Sequence, residues 1–177
     1  LTPLYLRLGR SLELDSQFEQ AVATYESMEV LARQRGDRRM ELASLIARAT
    51  IHSVPTAVHD PHQAQALGNR ALTLAGELSN RAAEARILWN LSLAHYFSNQ
   101  LGQAIDAGER SLSLARELDL REQTLVDLRG LKDQLLLAGL GGELGLRGND
   151  LLDRVMRDVE GVENLGLRDE VRPGLDR

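Results

Sequence analysis

AVATYESMEVLARQRGDRRME (Ala21–Glu41), AQALGNRALTLAGELSNRAAE (Ala64–Glu84) and AIDAGERSLSLARELDLREQT (Ala104–Thr124) are one pattern written three times. Each begins on alanine, carries a Leu-Ala pair at Leu31, Leu74 or Leu114, and reaches an arginine at Arg38, Arg81 or Arg121. The starts lie 43 and 40 residues apart, the range of helical-hairpin repeats. Within each segment the apolar and small positions fall at threes and fours, as in Ala104, Gly108, Ser111 and Ala115, which is the period of an amphipathic helix. Each segment therefore reads as the second helix of one hairpin running into the first helix of the next. Gly36-Asp37, Ser79-Asn80 and Asp119 supply the breaks and caps, and Asp60-Pro61 supplies an N-cap followed by a first-turn proline.

Composition agrees with this reading. The chain has 177 residues, 43% of them apolar but only 3% aromatic, so Leu, Ala, Val and Ile must build the core. Leu and Ala are strong helix formers, and the four prolines leave long uninterrupted stretches between them. The expected fold is all-α: an α-solenoid of antiparallel hairpins with three full repeats and a degraded fourth. Its hairpins are placed at 2–36, 38–79, 81–119 and 121–165, ahead of a flexible tail at 166–177. The fourth is degraded because Gly139, Gly141, Gly142, Gly145 and Gly148 fall where its turn should be. A formal net charge of −5 argues against a nucleic-acid partner. The absence of cysteine excludes disulfides and thiolate metal sites and fits a cytoplasmic setting. No apolar run is long enough to cross a bilayer, so no membrane partner is expected. An opening on Leu1 suggests a piece of a longer polypeptide.

Tyr5, Leu8, Gly9, Leu12, Phe18, Ala21, Tyr25 and Met28 fall at the signature spacing of tetratricopeptide repeats. Leu88, Leu91, Ser92, His95, Ala104, Gly108 and Ser111 take the same places in the third hairpin. The chain resembles that family over about residues 2–138, in particular the arrays of roughly 40-residue repeats in large multidomain bacterial regulators that carry an ATPase module. The resemblance implies a right-handed superhelix and a protein-binding scaffold. It also implies a concave groove lined by Leu6, Arg10, Glu13 and Leu14; Ile46, Thr50 and Val54; Arg86, Trp89, Leu93, Tyr96 and Phe97; and Arg129, Asp133 and Leu136. That lining is mostly apolar, so the expected occupant is an apolar or amphipathic helical segment of a partner or of the parent chain. Trp89 and Phe97 are the leading contact residues.

Catalysis finds little support. His52, His59 and His62 sit near Asp60, but their spacing matches no closed zinc pattern. His95 stands at a position suited to packing between helices. The run GLGGELGLRG lacks the Gly-Lys-Ser/Thr ending of a phosphate loop. Arg33, Arg35, Arg38 and Arg39 form a basic turn without interleaved aromatics for base stacking. The carboxylates lie beside arginines along helix surfaces, not isolated on an apolar face as an acid–base pair requires. The sequence therefore points to no enzyme, cofactor or metal. Two other functions remain open: self-association, giving a homodimer through exposed end repeats, and sensing of a small effector at the His52–His62 turn. Because the first hairpin lacks a polar cap, its outer surface should be covered by another repeat, a domain or a second copy.

Overall fold

The computed structural model describes residues 1–120. Among them are six α-helices and no strand: α1 (Thr2–Leu14), α2 (Phe18–Arg35), α3 (Arg38–Ser53), α4 (Pro61–Glu77), α5 (Arg81–Phe97) and α6 (Leu101–Glu117). Successive helices pack side by side from α1 to α5, in the manner of a helical solenoid. The serine hydroxyl of Ser111 on α6 donates to the carbonyl of Ala85 on α5 at 2.7 Å. The first helices of the hairpins also meet one another, α1 with α3 and α3 with α5. Leu1–Leu114 forms one compact unit, and Ala115 opens a second. The fourth hairpin and the tail lie outside the described residues, as do Arg129, Asp133 and the glycine-rich run.

The joins are built as the sequence suggests at their caps. Asp37, Asp60 and Asn80 each accept a hydrogen bond from a backbone amide three residues on, at 2.9, 3.0 and 3.1 Å. The opposite ends of the helices share a device that the sequence shows only once. Gly36 takes a left-handed φ of +65°, and Ser16, Ser79, Asn99 and Asp119 adopt the same region without being glycine. At each, the following residue donates back five positions, as Gln17 does to Leu12 O (2.8 Å) and Asn80 to Ala75 O (2.9 Å). This is the Schellman closure, repeated at every short join. The α3–α4 connection differs. Val54 is extended, and the turn is held by the Asp60 amide on His52 O and the His52 ring on Val58 O.

Small residues set the helix spacing. A Cβ on Gly9 of α1 would collide with the ring of Tyr25 on α2, and one on Gly68 of α4 would meet Leu91 Cδ2 of α5 at 2.7 Å. Between these contacts run the apolar seams. Leu45, Ala49, Leu67, Ala71, Ile87 and Leu91 join α3, α4 and α5; Met28, Ala32 and Met40 join α2 and α3. Each fully buried leucine there contributes roughly 1.5–3 kcal/mol. No hairpin could bury both of its stripes alone.

Candidate interaction surface

The expected groove residues sort into three rows, each taking one position from the first helix of successive hairpins. The deepest row is Leu6, Ile46 and Trp89. Leu6 packs against the Ala21–Tyr25–Ile51 cluster and Ile46 against the α3–α4–α5 core. Trp89, expected as a leading contact residue, is only 9% exposed. This row belongs chiefly to the packing of the array, with Trp89 buried and Leu6 and Ile46 half-buried.

The middle row is Arg10, Thr50 and Leu93. Arg10 is exposed and pairs with Glu13 on its own helix at 2.6 Å. Thr50 donates to Ile46 O (2.9 Å) and accepts from the Asn90 amide (2.8 Å), tying α3 to α5. Leu93 is half-buried. Beside the row, the Tyr25 hydroxyl donates to Glu13 at 2.6 Å. Burial raises the Tyr25 pKa, and the Glu13 carboxylate raises it further; Arg10 and Arg86 oppose the rise. Arg86, also expected in the lining, is exposed and lies near enough to Tyr25 to act on it through its charge.

The outer row holds the open apolar surface. Leu14 is 71% exposed and Phe97 39%, with half-buried Val54 at the same position of the intervening hairpin. Phe97 is held edge-on by two rings, His59 at 4.9 Å between centroids and Tyr96 at 5.3 Å. His59 is fixed in turn by its Nδ1 against Val54 O at 3.0 Å. Of the turn histidines, His59 thus braces an aromatic cluster. They do not converge on an ion site: no group of three potential ligands occurs among the described residues. The His52 ring is buried, His62 is exposed, and the half-buried His95 meets the Gln100 side chain at 2.6 Å.

One assembly escaped the sequence reading. Glu29 on α2 is buried and receives three guanidinium groups: Arg33 at 2.5 Å from its own helix, Arg48 of α3 at 2.5 Å and Arg70 of α4 at 2.8 Å. Arg48 also reaches Glu26 at 2.7 Å, and Arg33 reaches Glu41 at 3.2 Å. Burial pushes the Glu29 pKa up, but the hydrogen bond and charge of Arg70, with Arg33 and Arg48, outweigh it and hold it below the ordinary value. α2 and α4 make no close backbone approach, so Arg70–Glu29 is their side-chain bridge. The basic turn read at Arg33–Arg39 is partly consumed here, and Arg38 pairs with Glu77 of α4. The available signal was Arg48 itself, a charge at a position that the other hairpins give to Leu8 and Leu91.

No protein-family model matches the sequence, and no curated protein matches it either. Among the described residues, no helix is long and apolar enough to cross a membrane.

Proposed function

We propose that this chain is a protein-interaction scaffold of the tetratricopeptide kind, taking an amphipathic helical segment of a partner, or of its parent chain, along the first helices of its hairpins. The observation that carries this reading is the outer row. Leu14, Val54 and Phe97 occupy one register of three successive hairpins and leave apolar surface open at Leu14 and Phe97, beside a middle row that is polar at Arg10 and Thr50 and apolar at Leu93. An amphipathic helix offers what such a row needs: aliphatic side chains at spacings of three and four, with polar flanks for Arg10, Glu13 and Arg86. The edge-on bracing of Phe97 restricts its motion, which lowers the ordering cost of binding. The contact residues in this reading are Leu14, Leu93, Tyr96 and Phe97, with Trp89 buried on the same helix as the last three. This reading takes the role to be non-enzymatic and the setting to be the cytoplasm, within a bacterial signalling protein of the kind the sequence resembles.

Selection of displayed peptides against the chain tests this. The expected result is enrichment of amphipathic helices with aliphatic residues at i, i+3 and i+4, abolished by Phe97→Asp and unaffected by Leu4→Asp. Enrichment that survives Phe97→Asp together with Leu14→Asp would overturn the assignment.

A further inference from the structure

A second apolar surface lies on α1, away from the outer row. Leu1, Leu4 and Leu8 are 55, 66 and 54% exposed, and they stand at helical spacing on one side. The chain's own repeats show what such a surface is shaped for. The counterparts of Leu4 and Leu8 on α5 are Ile87 and Leu91, which are 0 and 4% exposed. Leu91 is seated against Gly68 on the second helix of the preceding hairpin. On α3 the counterpart of Leu8 is Arg48, and it too reaches onto the preceding second helix, at Glu26 and Glu29. Twice, then, this position is filled by the second helix of another hairpin.

The side chains on α1 specify which kind. A leucine at position 8 calls for a small residue opposite, as Gly68 is opposite Leu91, and not for the paired glutamates that receive Arg48. Arg7 adds a second requirement. Its counterpart, Asn90, donates to Thr50 on the first helix of the hairpin before. Arg7 is exposed, and no acidic residue precedes Glu13 in α1. A second copy of α1 would bring two basic ends together; a hairpin with a carboxylate at the Thr50 position would complement them.

We propose that the Leu1–Leu4–Leu8 face docks a partner's helical hairpin, whose second helix presents a Gly/Ala ridge like Gly68–Ala71–Ala75 and whose first helix offers an acceptor to Arg7. This is independent of the groove reading, since it uses none of the same residues.

The chain has no cysteine, so Leu4→Cys gives a single thiol whose reaction rate reports cover on this face, with Leu14→Cys as the control. The probe is a copy of residues 1–80, carrying Thr50→Glu, joined ahead of Leu1 by a flexible Gly-Ser linker, so that the docking hairpin keeps the α1–α2 hairpin it packs against. Such a linker makes docking intramolecular at roughly millimolar effective concentration. The expected result is labelling of Leu4→Cys slowed about tenfold or more, with Leu14→Cys unchanged and the protection lost when Gly68→Leu is placed in the fused copy alone. Unchanged labelling in the fusion would overturn the proposal. So would slow labelling of the unfused chain that speeds on dilution, because the occupant would then be a second copy.

Discussion

Replacing Glu29 by alanine removes a carboxylate that ties α2, α3 and α4 together, and the geometry fixes the size of the loss. Of the three arginines, Arg33 and Arg70 are about half exposed at 54 and 46%, so water screens them and each pairing contributes only about 0–1 kcal/mol. Arg48 is different: its side chain is 12% exposed, and without Glu29 it keeps only Glu26, which is itself half exposed. Stranding a guanidinium in that position costs about 3–5 kcal/mol. Glu29→Ala should therefore lower unfolding free energy by roughly 3–4 kcal/mol, read as a lower urea midpoint. Glu29→Ala in an Arg48→Ala background should cost far less, because the stranded charge is gone. The same group sets a pH dependence. Its folded pKa lies below its ordinary 4.5, so the stability it supplies is whole above that value and is lost as pH falls below it. Glu29→Ala should flatten that part of the acid profile. A loss under about 1 kcal/mol, the ceiling for surface pairs, or an unchanged acid profile, would refute the reasoning.

Two further outcomes follow from the backbone. Gly9→Ala must displace the Tyr25 ring, which is buried and anchored to Glu13, and should cost about 1–3 kcal/mol in denaturant unfolding. Gly68→Ala meets Leu91 Cδ2 at 2.7 Å and Cγ at 3.0 Å, a less severe overlap than the one with the Tyr25 ring, and should cost less; equal losses would mean that Tyr25 does not police the α1–α2 spacing. Ser79→Gly relieves a left-handed φ of +52° at an exposed join and should raise stability by about 0.5–1 kcal/mol. A lower thermal midpoint would contradict the Schellman assignment there.

The helices were legible because the repeat is written in local signals. Asp37, Asp60 and Asn80 announce helix starts by side-chain chemistry, and the alanine of each Leu-Ala pair (Ala32, Ala75 and Ala115) is buried, while of the leucines only Leu74 is. Helix ends were harder. Only Gly36 is a glycine; Asn99 and Asp119 are types that tolerate the left-handed region, while Ser16 and Ser79 reach it against a side-chain penalty that composition does not reveal. The lining of the proposed surface was legible in register but not in depth. Trp89 and Phe97 lie on one side of α5, yet whether a side chain is covered depends on the neighbouring helices. Glu29 was hidden for a related reason: Arg48 and Arg70 are 19 and 41 residues away. The odd arginine at a leucine position was the only local trace of them.

Binding of a helix along the outer row can be followed by titration with Trp89 emission as the signal. Trp89 is the only tryptophan and lies buried on α5, about two helical turns before Phe97. A selected amphipathic peptide should shift its emission saturably. Phe97→Ala should weaken binding about tenfold or more, the effect of losing an aromatic anchor worth about 2 kcal/mol. Leu4→Asp should leave the affinity unchanged. Equal affinity for the wild-type chain and for Phe97→Ala would contradict the account.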